Sequence, residues 1–198
     1  MTIAAAIIAG GQSLRMGGTE KAFAEIGNKA ILDWIVDRLE LQVQHVVVNA
    51  NGDVARYEST GLSVIADLRR DVGTPLAGLH AALHWAKDHR FDWLLTVPSD
   101  TPFLPRDLIS KLAATAQPAA IAASGGQDHF LTGLWSTTLC DTLDDAITKE
   151  KLFRVKDWAT RAKAATVAWS VIPFDPFFNV NTPEDLAEAR RIAAEFSP

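Results

Sequence analysis

Ile7-Ile8-Ala9-Gly10-Gly11-Gln12-Ser13-Leu14-Arg15-Met16-Gly17-Gly18-Thr19-Glu20-Lys21 is the stretch from which the rest of the chain can be read. It continues the apolar run Ile3 to Ala9, which is long enough for one fully buried strand. Two glycine pairs, one arginine and one lysine then precede the next apolar segment. Glycine has no Cβ, so backbone N–H groups can turn inward there and approach a phosphate closely. Arg15 and Lys21 add the positive charge that a polyphosphate needs. A lone glycine pair would read as a plain turn. With the two cations at these offsets directly after a strand, the loop reads as a phosphate cradle.

Spacing narrows which cradle it is. A P-loop needs a lysine directly between glycine and Ser or Thr, and none is present. The dinucleotide fingerprint G-x-G-x-x-G fails because Gly10 and Gly11 are adjacent and Arg15 stands at its sixth position. The remaining pattern, A-G-G-x-x-x-R-M-G-G-x-x-K, resembles the signature of GT-A-like, Rossmann-type nucleotidyltransferases, which join an NTP to a phosphorylated acceptor.

Composition sets bounds around this reading. The 198 residues suffice for one good core and are few for two. At 48% hydrophobic and 22% charged, the chain has the make-up of an ordinary globular protein. The start Met1-Thr2-Ile3 lacks a basic leader region, and no apolar stretch approaches membrane-spanning length, so we expect a cytoplasmic protein without a membrane partner. A single cysteine, Cys140, excludes an internal disulfide and a multi-cysteine zinc site, and is read as a small packed residue. A net charge of −5 argues against a nucleic-acid partner but not against a nucleotide, which needs only local positive charge. The six tryptophans are scattered, which suits core and interface positions better than a stacking platform.

Further along, short apolar runs alternate with helical patterns. Ala30 to Leu41 carries apolar residues on one helix face, and Val46-Val47-Val48 is a β-branched run ending in the turn cluster Asn49-Ala50-Asn51-Gly52. Leu62 to Ala66 is strand-like and closes at Asp67. Gly78 to Ala86 is helical, with Pro75 in its first turn. Trp93 to Val97 is a strand that stops at Pro98-Ser99-Asp100-Thr101-Pro102; Leu108 to Ala116 is a helix and Ala119 to Ala123 a strand. His129 to Trp135 is expected as an edge strand, and Thr142 to Ala159 as helix with a break. Phe177 to Asn181 is expected to be extended, before a helix with Thr182 as N-cap and Pro183 at its first position. Such alternation indicates an α/β fold with a mainly parallel sheet and helices on both faces. No repeat or linker interrupts it, so residues 1–198 read as one domain. Ligands in such folds bind beyond the carboxyl ends of the strands. Gly10 to Lys21, Asn49, Asp67 and Asp100 all follow strands directly and should share one crevice.

Asp100 is the second key position. A carboxylate at the end of a buried strand is well placed to hold Mg²⁺ together with phosphate oxygens, although Asp before Thr-Pro also caps turns. Taken with the glycine-rich loop, the metal reading is preferred. His129 reads as a substrate contact or packing residue rather than a base, and His80, His84 and His89 as surface or packing residues rather than metal ligands.

Read in order, the chain resembles the molybdenum cofactor guanylyltransferase family. The resemblance rests on Ile8-Ala9-Gly10-Gly11 through Arg15-Met16-Gly17-Gly18 to Lys21, Val47-Val48-Asn49-Ala50-Asn51, Val64-Ile65 to Asp67, Pro75-Leu76-Ala77-Gly78, Pro98-Ser99-Asp100-Thr101-Pro102, and Phe178-Asn179-Val180-Asn181-Thr182-Pro183-Glu184-Asp185-Leu186. It implies GMP transfer from GTP to the terminal phosphate of molybdopterin, with release of pyrophosphate. It also implies Mg²⁺ on Asp100, nucleotide contacts at Ile8, Ala9, Gly10, Gly11, Lys21, Asn49, Asp67 and Asp100, and acceptor contacts at Asn179 and Asn181. Arg15, Lys21 and Asp100 would be the catalytic set. Cofactor-synthesis enzymes and molybdoenzyme chaperones are the protein partners such a role allows. Two positions depart from the family pattern: Thr74, where glycine is common, and Glu20, where aspartate is common. The basic segment Lys149 to Arg154 is either a contact for the pterin-side phosphate or a solvated helix face. A cytidylyltransferase for the same cofactor, a sugar-phosphate nucleotidyltransferase and a non-catalytic nucleotide sensor remain as alternatives, the last disfavoured by the joint presence of Arg15, Lys21 and Asp100.

Overall fold

The computed structural model describes residues 1–9, 21–52, 54–69 and 71–196. β1 (Ile3–Ile8) is buried at every position, as expected of an unbroken apolar run covered on both faces. It pairs in parallel with β4 (His45–Asn49) on one side and β6 (Trp93–Pro98) on the other. With β5 (Ser63–Ile65), β7 (Ala119–Ser124), β8 (Gln127–Ser136) and β9 (Ala165–Trp169) it forms, among the described residues, a seven-stranded sheet in the order β5-β4-β1-β6-β8-β7-β9. A small hairpin, β2 (Glu25–Ile26) and β3 (Lys29–Ala30), stands apart from it. Gly27, at φ +64°, supplies the left-handed residue in its turn.

Alternation along the strands feeds two separate cores. Ile3, Ala5 and Ile7 of β1 face the side where α1 (Ile31–Glu40), α3 (Leu108–Ala113) and α6 (Pro183–Phe196) pack through Ile31, Ile35, Leu108, Leu112 and Ile192. Ala6 and Ile8 face the other side, covered by α2 (Pro75–Asp88), α4 (Cys140–Thr148) and α5 (Val155–Arg161) through Leu76, Leu79, Leu143 and Trp158. The mainly parallel sheet with helices on both faces is the architecture that the alternating pattern implies. No helix among the described residues is long and apolar enough to cross a membrane.

Two local expectations need refinement. The strand around His129 to Trp135 is internal rather than at an edge: β8 runs antiparallel between β6 and β7. Gly133 makes that position possible, because a Cβ there would stand 2.8 Å from the Trp135 ring and 3.0 Å from the Ala120 carbonyl oxygen. The true edge on that side is β9, whose five residues alternate in burial but include a single polar side chain, Thr166, so the sequence shows no clear alternation. The run Phe177 to Asn181 joins no ladder; it leaves a turn and is tied down by the Val180 N–H donating to the Asp100 carbonyl at 2.8 Å.

Candidate active site

Register sets the geometry of the site. Ile8 is opposite Asn49 on one side and Pro98 on the other, and Asn49 is opposite Ile65. Four parallel strands therefore end level, and the residues that follow them open into one crevice. The chain moves outward from β1 to β4 and β5, then returns to β6 on the opposite side of β1. A reversal of this kind is where α/β sheets bind their ligands. Of the glycine-rich loop, Gly10, Gly11, Arg15 and Gly17-Gly18 lie outside the described residues. Its two flanks, Ala9 and Lys21, stand at the crevice: the Ala9 N–H donates to the Asn49 carbonyl at 2.9 Å, and Lys21 opens a 3₁₀ turn.

On the β4–β5 side, Asn49 and Asn51 grip Asp67. Asn49 Nδ2 donates to Asp67 Oδ1 at 2.9 Å, and Asn51 Nδ2 donates to Asp67 Oδ2 at 2.7 Å. The Asp67 N–H returns a bond to Asn51 Oδ1 at 3.1 Å. Asn49 is fully buried, so its amide is a rigid support for the half-exposed carboxylate. Gly78 of α2 presses against this support: a Cβ there would lie 2.2 Å from Asn49 Oδ1 and 3.0 Å from Ile8 Cγ2. Asp67 and Asn51 line an open cavity of about 570 Å³ together with Ala50, Gly52, Val54 and Gly73, a size that suits a small ligand. Thr74 has extended backbone at φ −130°, and its hydroxyl donates to the Phe153 carbonyl at 2.6 Å. Gly73 carries the positive φ of this turn, so threonine fits without strain where glycine is common.

On the β6 side, Asp100 meets the C-terminal segment. Thr101 is buried and donates to Asn179 Oδ1 at 2.7 Å, while the same hydroxyl lies 3.5 Å from Asp100 Oδ1, too far for a second good bond. Burial pushes the Asp100 carboxyl above its usual range, and the nearby Lys21 ammonium only partly opposes this. Lys21 Nζ donates to Asn181 Oδ1 at 2.8 Å. Asn179 and Asn181 thus both turn toward the crevice although no ladder holds them. Their backbone is fixed by the following helix. Asp185 N–H donates to Thr182 Oγ1 at 3.1 Å, and Asp185 Oδ2 accepts from the N–H groups of Thr182 and Asn181, both at 2.9 Å. This reciprocal capping box matches the start that the sequence implies for α6. A recessed carboxylate with, among the described residues, a single marginal side-chain hydrogen bond, beside a lysine, is the donor chemistry that suits a divalent cation shared with phosphate.

The remaining candidates are satisfied by packing. His129 Nε2 lies 2.7 Å from Ser124 Oγ, which donates to Asp175 Oδ1 at 2.8 Å, and the His129 ring packs at a tilt against Phe177. Burial holds the His129 imidazole below its usual range. Cys140 is buried, with its thiol pushed up to about 11, so it is an inert packed residue as expected. Lys149 to Arg154 forms the break between α4 and α5, where Lys149 pairs with Asp145 and Arg154 with Asp157. Sequence reasoning singled out neither Asn51, Gly78 nor Thr101 as a site residue. All three sit inside motifs that were recognised, and the missing information was the contact each makes with a residue far along the chain.

Comparison with known proteins finds relatives over most of the chain. A MobA-like NTP transferase domain is matched over residues 5–167. The chain is 45% identical over 195 residues to the molybdenum cofactor guanylyltransferase of Rhodopseudomonas palustris (strain BisB5), covering 96% of this chain and 93% of that protein. It is 43% identical over 194 residues to the enzyme of the same name from Bradyrhizobium sp. (strain ORS 278), covering 95% and 92%. Among solved structures, molybdopterin-guanine dinucleotide biosynthesis protein A from Archaeoglobus fulgidus superposes with a TM-score of 0.72 at 22% identity, over 98% of this chain and 100% of that one. A 2-C-methyl-D-erythritol 4-phosphate cytidylyltransferase from Thermus thermophilus shares the fold at a TM-score of 0.74 and 17% identity, with the same coverage.

Proposed function

The chain belongs to the molybdenum cofactor guanylyltransferase family, and on that premise we propose that it transfers GMP from GTP to the terminal phosphate of molybdopterin, releasing pyrophosphate and forming molybdopterin guanine dinucleotide. The observation that carries this reading is the meeting of Lys21, Asp100 and Asn181 at the end of β6, where the last residue of the glycine-rich stretch reaches the C-terminal segment.

A terminal phosphate is mostly ionised at neutral pH, so its attack on the α-phosphorus needs no strong general base. The barrier lies in bringing two anions into line and in the charge that builds toward the leaving pyrophosphate. Asp100 would hold Mg²⁺, which when bound supplies positive charge to the phosphate oxygens. Lys21, aimed by Asn181, would neutralise the same phosphates from the protein side, with Arg15 and the backbone of Ile8, Ala9, Gly10 and Gly11 completing the cradle. Asn49 would hold Asp67 toward the guanosine, which would occupy the cavity beside Asn51. Asn179, fixed through Thr101, and Asn181 would receive the acceptor, since an amide offers both a donor and an acceptor to a pterin or its phosphate. The same reading takes residues 1–198 as one domain working in the cytoplasm. Its substrates are GTP and molybdopterin, and its protein partners lie among cofactor-synthesis enzymes and molybdoenzyme chaperones.

Mass spectrometry of the product made from Mg²⁺, molybdopterin and either GTP or CTP tests the proposal. A guanine dinucleotide with matching pyrophosphate release is expected from GTP. A product from CTP alone would overturn the base assignment, and no product from either would overturn the activity.

A further inference from the structure

α2 and α4 pack against each other behind the crevice, and three ligand-competent side chains converge where they meet. His80 and His84 are one turn apart on α2 and share a face. Asp144, one turn into α4, lies opposite them. His80 Nε2 is 2.7 Å from Asp144 Oδ1 and His84 Nε2 is 3.0 Å from the same oxygen. One ligand atom from each residue lies within 4.8 Å of the other two. A tetrahedral zinc ion with bonds of about 2.0 Å spaces its ligand atoms about 3.3 Å apart, so small side-chain rotations bring this trio onto one cation.

The chemistry separates the cluster from ordinary packing. Nε2 of His80, which is almost wholly buried, and Nε2 of His84 crowd onto one carboxylate oxygen of Asp144 instead of each finding a separate partner. The Asp144 side chain is 40% exposed and that of His84 26%, so the cluster opens to solvent for entry of an ion and for a water as fourth ligand. Of the nearby cations among the described residues, Arg69 is engaged by Asp71 through two hydrogen bonds of 2.9 and 2.8 Å, and Lys87 by Asp141 at 2.8 Å. Cys140 is not a fourth ligand, because its thiol points to the Leu83 carbonyl.

We propose that His80, His84 and Asp144 form a zinc-type transition-metal site, separate from the Asp100 carboxylate, that clamps α2 to α4. Two imidazoles and one carboxylate suit zinc and its neighbours and do not suit Mg²⁺, which takes oxygen ligands. The clamp lies two residues beyond Gly78 on the helix that backs Asn49, so it stiffens the wall behind the Asp67 cavity.

Equilibrium dialysis of the chelator-stripped full chain against Zn²⁺, with Mg²⁺ in excess, tests the site alongside thermal melts. The wild type is expected to bind one zinc per chain and to melt higher when loaded. His84→Ala and Asp144→Asn are each expected to weaken zinc binding by about tenfold or more, whereas Asp100→Asn leaves it unchanged. Both affected positions are partly exposed, and melting without zinc checks that each variant folds. Zinc binding that survives both His84→Ala and Asp144→Asn, that is lost in Asp100→Asn, or that is absent from the wild type would overturn the proposal.

Discussion

Gly78→Ala isolates the close approach on which the Asp67 cavity depends. In a helix interior this exchange normally stabilises by about 0.5–1 kcal/mol, because alanine loses less backbone entropy. Here the added Cβ would fall 2.2 Å from Asn49 Oδ1 and 3.0 Å from Ile8 Cγ2. Ordinary contact requires Asn49 or the helix to move by about 1 Å. Neither gives easily, since Asn49 is fully buried and its amide is bonded to Asp67 and the Ile65 carbonyl. Overpacking of this kind costs about 1–3 kcal/mol. The net expectation is a loss of about 1–2 kcal/mol, or a fall in Tm of about 2–8 °C for a chain of this size. Displacing Asn49 also loosens the Asp67 carboxylate, and one charge-assisted hydrogen bond of about 1.5 kcal/mol corresponds to about tenfold weaker GTP binding. Calorimetric melting and GTP titration of the variant read the two effects. Adding Asn49→Ala should recover part of the Tm without recovering GTP affinity. A Gly78→Ala protein that melts higher than wild type and binds GTP normally would refute the reasoning.

Asp100→Asn should lower kcat on the order of 10²-fold in a pyrophosphate-release assay while leaving Tm unchanged or raised, because the carboxylate it removes is one that burial disfavours. In the wild type, protonation of Asp100 abolishes its role as a metal ligand. The acid limb of kcat/KM should therefore lie above the usual carboxylate range, and an acid limb in the ordinary range would count against this assignment. Replacing Asn179 and Asn181 together by Ala should raise KM for molybdopterin while GTP·Mg²⁺ affinity holds; equal loss of both, in step with a lower Tm, would make the pair structural. Asp185→Ala should cost about 1 kcal/mol through loss of the α6 cap. The Asn181 N–H, helped by that of Thr182, holds the Asp185 carboxyl below its usual range. A depressed carboxyl stabilises the fold above its unfolded pKa and loses that contribution as pH falls through its folded pKa. The Tm gap between wild type and Asp185→Ala should therefore narrow below about pH 4, and a gap constant with pH would refute the charged cap.

Local sequence carried much of this molecule. The buried run Ile3 to Ala9 with its glycine-rich continuation, the strand ends at Asn49, Asp67 and Asp100, and the Thr182-Pro183-Asp185 helix start are all readable because each depends on residues a few positions apart. That Ala9, Lys21, Asn49, Asp67 and Asp100 lie at the same ends of the parallel strands follows from the general behaviour of such sheets. What the tertiary structure alone decided are contacts between distant residues. β8 enters between β6 and β7 because Gly133 leaves room for the Trp135 ring and the Ala120 carbonyl, which no alternation of apolar and polar residues announces. Lys21 meets Asn181 across 160 positions, and Thr101 meets Asn179 across 78. Gly78 looks like a tolerated helix glycine until Asn49 is brought against it. His80 and His84 look like surface or packing residues until α4 places Asp144 opposite them. A periodic pattern encodes which face of an element is buried, but not which distant element will cover it, so side-chain partnerships across the fold exist only once the sheet order is set.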